Sequence, residues 1–166
     1  LTLVANKIGK DIAEPLKEKL GKALPKDVIV TTFPATRELG SPTMKEIRDA
    51  VDGTILFGEN LLSNQVDHSI VGAMQLHNAL TRLNKNTLIV TPGDRGDIII
   101  GALQANISKN YPKVAGILLT GGLLPEPTIV KLIEGLETVV PIIAVKGGTF
   151  KTVAQVANTQ SRISPD

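Results

Sequence analysis

The sequence predicts an α/β fold: a mainly parallel sheet with helices on both faces, preceded by a short βαβ piece. Three observations lead there. Five apolar runs, "TILFG" (54–58), "SIVGAM" (69–74), "TLIVT" (87–91), "AGILLT" (115–120) and "PIIAV" (141–145), have the length of strands. None alternates polar with apolar residues cleanly, as expected of strands buried on both faces. Helix-like stretches separate several of them, and strands alternating with helices imply parallel pairing. Four aromatic residues occur in the whole chain (Phe33, Phe57, Tyr111 and Phe150), so the core has to be built from Ile, Leu, Val and Ala.

Taken in order, "LTLVANK" reads as a buried strand, "DIAEPLKEKLGKAL" as an amphipathic helix and "DVIVTTFP" as a second strand. The loop "ATRELG" follows, and a boundary near residue 36 separates a first piece, 1–36, from a domain over 37–166. "SPTMKEIRDAV" opens a helix with Ser41 as N-cap and Pro42 at the first helical position. "GDIIIGALQANISKN" is a nearly all-apolar helix, expected to be deeply buried. "PTIVKLIEGLET" sets Ile129, Leu132, Ile133 and Leu136 on one helical face, with Pro127 in the first turn. Thr149 is expected to cap the last helix. No internal repeat and no low-complexity segment interrupts this order.

Composition narrows the function classes. Apolar residues make up 42% and charged residues 20%, as in an ordinary globular protein. The net charge is +2 with bases and acids interspersed, so no basic stripe points to nucleic acid or to a membrane surface. The scarcity of aromatics argues further against single-stranded nucleic acid, whose bases stack on such rings. The absence of cysteine excludes disulfides, thiolate metal sites and cysteine nucleophiles. No apolar run approaches the ~18–20 residues that span a bilayer. The opening, without Met or a signal-peptide layout, is expected to be cut from a longer cytoplasmic chain.

Three loops follow strands and precede helices, where open α/β sheets hold their ligands. In the first, "GDRGD" (93–97), Asp94 can cap the helix and Asp97 can answer it in a capping-box-like pair. Arg95 is not explained by capping, because a cation at a helix N-terminus opposes the dipole. Either Asp94 or Asp97 neutralises it, or an anion comes from outside. In the second, "LTGGLLPEP" (119–127), Gly121 and Gly122 either allow positive φ or let a ligand approach exposed amides. The third, "VKGGTFKT" (145–152), lacks the spacing of a phosphate-binding P-loop. "NKIGKD" faintly resembles a nucleotide-base recognition segment, but with no P-loop it is read as non-functional. His68 and His77 lack companions for a metal site, and no nucleophile elbow or zincin motif occurs. If strands ending at Thr91, Thr120 and Val145 lie side by side, Arg95, the Gly121 and Gly122 amides and the Thr149 hydroxyl approach one anion-suited pocket.

"GDR" at 93–95 and "LTGG" at 119–122 resemble the two halves of the DRTGG-domain signature, carried here by Asp94, Arg95, Thr120, Gly121 and Gly122. "SPTMKEI", "GAMQLHNAL", "VTPGDRGDIIIGAL", "YPKVAGILLTGGLLPEP", "VKLIEGL", "VPIIAV" and "SRISPD" are similar, in order and spacing, to the middle region of long-form bacterial phosphate acetyltransferases. Residues 1–36 resemble the tail of a dethiobiotin-synthetase-like domain. The resemblance implies a parent enzyme that interconverts acetyl-CoA plus phosphate with acetyl phosphate plus CoA. It places the acyltransferase domain after Asp166 and the P-loop before Leu1, so this segment is expected to be catalytically inactive and to hold no cofactor. Coenzyme A is then a substrate of the parent. The segment is expected to serve regulation or assembly, as a homo-oligomer paired through the DRTGG domain and with an anionic metabolite as effector. The alternative is a stand-alone metabolite- or nucleotide-sensing module. On either reading the ligand or interface residues are Asp94, Arg95, Asp97, Thr120, Gly121, Gly122 and Thr149. One departure stands out: Gly148 precedes Thr149 where the family usually has an acid.

Overall fold

A computed structural model describes residues 1–34, 40–137 and 139–159. The chain forms two compact units, Leu1–Gly40 and Ser41–Asp166. The boundary expected near residue 36 lies outside the described residues, as does the "SRISPD" segment.

In the first unit, β1 (Thr2–Ile8), α1 (Lys10–Ala23) and β2 (Ile29–Pro34) form a βαβ unit. The strands pair in parallel with Thr2 opposite Ile29. Contrary to the expectation from "LTLVANK", β1 is not buried: Val4 is 54% exposed, and Ile29 and Phe33 of β2 are exposed too. A single helix cannot cover both faces of a two-stranded sheet, and Ala13 is the one residue of α1 that is buried.

The second unit carries α2 (Met44–Ala50), β3 (Thr54–Phe57), a 3-10 turn (Glu59–Leu61), β4 (His68–Val71), α3 (Leu76–Leu80), β5 (Thr87–Pro92), α4 (Gly96–Ile107), β6 (Val114–Thr120), α5 (Pro127–Glu134), β7 (Ile142–Ala144) and α6 (Thr149–Ala157). The five strands lie in the order β3-β7-β6-β5-β4. β4, β5, β6 and β7 are mutually parallel, and β3 closes the edge antiparallel to β7. The fold is therefore the expected α/β architecture. Successive side chains feed two cores, as strand geometry requires. Ile89, Ile117, Leu119 and Ile142 pack under α3, α4 and α5, whereas Leu88, Val90, Leu118 and Ile143 pack under α2 and α6. β5 and β6 at the centre are buried almost throughout, which explains their unbroken apolar runs. β3 and β4 lie at the edges and are partly exposed, so the expectation of two-sided burial fails there.

Local chemistry departs from expectation at three further points. The N-cap of α2 is Thr43, not Ser41: its hydroxyl accepts from the Glu46 amide while Glu46 accepts from the Thr43 amide, a complete capping box. Ser41 instead donates to Asp67 at 2.7 Å, and Asn86 donates to the other Asp67 oxygen at 2.8 Å. The Ser41 and Asn86 bonds hold the Asp67 carboxyl below its ordinary range against the opposing effect of burial. β4 ends at Val71, because residues 72–74 turn away from the sheet. On α5, Ile133 is buried but Leu132 is 57% exposed, since the short helix presses a narrow stripe onto the sheet. Gly116 in β6 is a packing requirement: a Cβ there would sit 2.4 Å from the Met44 terminal methyl, and Met44 is completely buried. Among the described residues, no helix is long and apolar enough to cross a membrane.

The capping assignment is testable. Thr43→Ala removes the capping box and should cost about 1 kcal/mol in urea unfolding, whereas Ser41→Ala, acting on an exposed contact, should cost less than about half of that.

Candidate functional site

Because β5, β6 and β7 are parallel neighbours, the loops after them emerge on one edge of the sheet. The three loops are joined through backbone. The Gly93 amide donates to the Thr120 carbonyl at 3.3 Å, the Gly121 amide to the Gly147 carbonyl at 2.8 Å and the Gly122 amide to the Val145 carbonyl at 3.0 Å. Gly121 and Gly122 have φ of 82° and 68°, the left-handed conformation expected of a glycine pair in a tight turn. Gly93 is needed for another reason: a Cβ there would lie 1.9 Å from the Leu123 carbonyl oxygen. The first two loops touch backbone to backbone.

The edge divides into two halves. On the β4 side, Arg95 forms a bidentate pair with Asp97, Nε to Oδ1 and Nη2 to Oδ2, each at 2.8 Å. The guanidinium also reaches the carbonyls of the turn after β4: Met74 at 3.0 Å, and Gly72 and Ala73 at 3.4 Å each. The Thr91 hydroxyl donates to the same Gly72 carbonyl at 3.2 Å. Asp97 is thus the neutralising partner of Arg95. Asp94 is exposed, and its side chain does not cap α4, whose N-cap is Arg95 with no side-chain cap bond. The Asp94–Asp97 capping pair expected from spacing does not form, because the guanidinium occupies Asp97. The Arg95 hydrogen bond is the largest influence on the Asp97 carboxyl and lowers its pKa; burial opposes it and the Ile98 amide adds to it.

On the β7 side, the Thr120 and Thr149 hydroxyls meet at 2.7 Å. Thr120 is 1% exposed. Thr149 does not cap α6: it is the first residue of the helix, and Gly148 takes the N-cap position without a side-chain cap. Its hydroxyl is turned back onto β6 instead. The amides of Gly121 and Gly122 are committed to the third loop, so they are not the open donors that a glycine pair can offer. Arg95 and Thr149 thus engage different partners, Asp97 and the turn 72–74 for the one and Thr120 for the other. The sequence reading missed the turn at 72–74 and the role of Thr91. The one available signal was Gly72 directly after an apolar run.

Electrostatically the halves differ too. The α4 N-terminus has Asp97 in its first turn, which complements the helix dipole. The α6 N-terminus has no acid in its first turn and no cap, and Lys146 and Lys151 flank it in sequence. Two large apolar side chains of these loops are exposed, Phe150 in the first turn of α6 at 90% and Leu124 after the glycine pair at 60%. Among the described residues no cluster of His, Asp or Glu could hold a metal ion.

The match that decides the family covers both halves: the DRTGG domain model matches residues 46–159. The chain belongs to the DRTGG domain family. Its relatives include the phosphate acetyltransferase of Synechocystis sp., 39% identical over 98% of this chain and 24% of that protein. The phosphate acetyltransferase of Nitratidesulfovibrio vulgaris is 37% identical over 95% of this chain and 22% of its own length. The chain thus spans about a quarter of the relatives it matches. Among solved structures, the CBS and DRTGG domains of the regulatory region of Clostridium perfringens pyrophosphatase, complexed with the activator diadenosine tetraphosphate, align with TM-score 0.56 at 18% identity, over 71% of this chain and 47% of that one. That likeness concerns the fold. The Asp-Arg and Thr-Gly-Gly halves of this DRTGG domain are the two halves of the edge, and Gly93 is where they touch.

Two measurements check this geometry. Gly93→Ala should destabilise the domain by at least about 2 kcal/mol in chemical denaturation, since the new methyl overlaps backbone that no rotamer can move. Asp97→Asn should lower stability at neutral pH, by no more than ~1 kcal/mol for so exposed a pair. The Asp97 pKa is depressed in the folded state, so its contribution is fully present above the unfolded carboxylate pKa of ~3.9 and is lost as pH falls through the folded value. Wild type and variant should therefore converge in acid unfolding below about pH 4.

Proposed function

We propose that this chain is a non-catalytic regulatory and assembly segment of a phosphate acetyltransferase, whose whole chain interconverts acetyl-CoA plus phosphate with acetyl phosphate plus CoA in the cytoplasm. The observation that carries the reading is the coverage: 98% of the chain aligns to less than a quarter of such an enzyme. The βαβ unit fits the tail of a preceding dethiobiotin-synthetase-like domain.

Within that role, two features favour assembly. Arg95 is neutralised inside its own loop, and the joined second and third loops expose Leu124 and Phe150. A second copy of the domain would cover that apolar surface, giving a homo-oligomer. The effector reading has one specific support, the diadenosine tetraphosphate named with the Clostridium perfringens regulatory region. In this chain an anionic metabolite would be met on the β7 side, by the uncapped α6 N-terminus beside Gly148 and the Thr120–Thr149 hydroxyls. The missing acid at Gly148 removes a repulsion there.

Purified chain supplied with acetyl phosphate and CoA should form no acetyl-CoA; turnover that follows dose and survives repurification would overturn the non-catalytic reading. Phe150→Asp should weaken self-association by roughly 10- to 100-fold in sedimentation, from the ~1.5–3 kcal/mol of an aromatic side chain leaving an interface. A monomeric wild type across the micromolar range would remove the assembly reading. Thermal-shift titration with nucleotides, NADH, pyruvate and phosphoenolpyruvate reads the effector directly.

A further inference from the structure

The segment from β4 through α3, His68–Leu80, forms one edge of the sheet. β4 has four residues and pairs with β5 alone, and α3 has five. Pairing and packing hold the segment at several points: the ladder from His68 opposite Thr87 to Val71 opposite Val90, the Gly72 amide on the Val90 carbonyl at 2.8 Å, Ala79 in the core with Ile70, Met74 and Leu80 against it, and Leu76 seated over Gly101, where a Cβ would come within 2.2 Å of a Leu76 methyl. After Gly72 the backbone leaves the sheet, and the three consecutive carbonyls of 72–74 accept from one side chain.

That side chain is Arg95. Its Nε–H and one Nη2–H go to Asp97, the second Nη2–H to Met74, and the two Nη1–H groups to Gly72 and Ala73. Every donor of the guanidinium is used. A planar fork with five donors can bridge a carboxylate and three carbonyls at once; an ammonium cannot. The Arg95 side chain is 28% exposed, so the group sits where an incoming anion can compete for it.

We propose that Arg95 is a latch: Asp97 orients its guanidinium, the guanidinium holds the turn 72–74, and the segment 68–80 is an edge that undocks when the latch is released. Because no donor is spare, an anion can engage Arg95 only by displacing Asp97 or a turn carbonyl. Anion capture at Arg95 and docking of the edge are therefore antagonistic. The Asp-Arg half of the signature acts on conformation, whether or not an effector binds on the β7 side.

Hydrogen exchange followed by mass spectrometry tests this on the wild-type protein and on Arg95→Ala and Arg95→Lys. Both variants should accelerate exchange of amides in 70–80 by roughly tenfold while the amides of β5 and β6 keep their protection. Arg95→Lys serves as the reading if Arg95→Ala folds poorly, since it keeps the charge and loses the fork. Unchanged exchange in 70–80 overturns the latch. So does an acceleration shared equally by 70–80, β5 and β6, which would make Arg95 an ordinary contributor to global stability.

Discussion

The parallel pairing of β5 with β6, buried on both faces, is the constraint from which the functional edge follows. Strands sealed between two helical layers can meet solvent only at their ends, so their last polar groups must be satisfied there. Threonine solves this repeatedly. Thr87 donates to the Asn84 carbonyl at 2.8 Å where β5 enters, Thr91 donates to Gly72 at 3.2 Å near its exit, and Thr120 meets Thr149 at 2.7 Å where β6 leaves. A β-branched side chain fits the buried strand, and its hydroxyl closes the account of the turn next to it. The same pairing brings the two following loops so close that position 93 tolerates no side chain.

From that contact outward, the edge separates by charge. On the β4 side, cation and anion are matched inside one loop, and the surplus donors of Arg95 are spent on backbone carbonyls. On the β7 side the first turn of α6 holds no acid and its N-cap, Gly148, makes no side-chain cap bond, while Phe150 in that turn is exposed. The two parts of the signature therefore do different physical work. Arg95 of the Asp-Arg part, with Asp97 beyond the signature, ties secondary-structure elements together. The Thr-Gly-Gly part sets the shape of a surface.

Most of the second unit was legible in the sequence because its signals are local and strong. Unbroken Ile, Leu and Val runs between glycine and proline mark β5, β6 and β7, and the continuous apolar character of 98–103 marks α4 as buried. The failures share one cause, competition between partners that are distant in sequence. Ser41 and Thr43 both look like caps; Thr43 wins because Glu46 stands three residues on, and Ser41 donates instead to Asp67, 26 residues away. Thr149 looks like a cap until Thr120, 29 residues earlier, takes its hydroxyl. Asp94 and Asp97 look equivalent in a string, but a fork two residues from Asp97 in the helical turn selects it. The strands of the first unit were misjudged differently. Apolar composition reports a tendency to be buried, and a two-stranded sheet with one helix leaves that tendency unmet.

The saturation of Arg95 bears on what kind of site this edge can be. A residue that stabilises developing charge in a reaction needs donors aimed at an empty position, preorganised and unspent. Arg95 has none, and the Gly121 and Gly122 amides, the other natural anion donors, are spent on the third loop. Saturated donors also mean that any new partner for Arg95 has to be exchanged for an old one. Such an exchange moves backbone, because three of the five bonds end on the main chain of a neighbouring element. On the proposed latch, an arginine wired in this way couples a local change of charge to the docking of its own sheet edge.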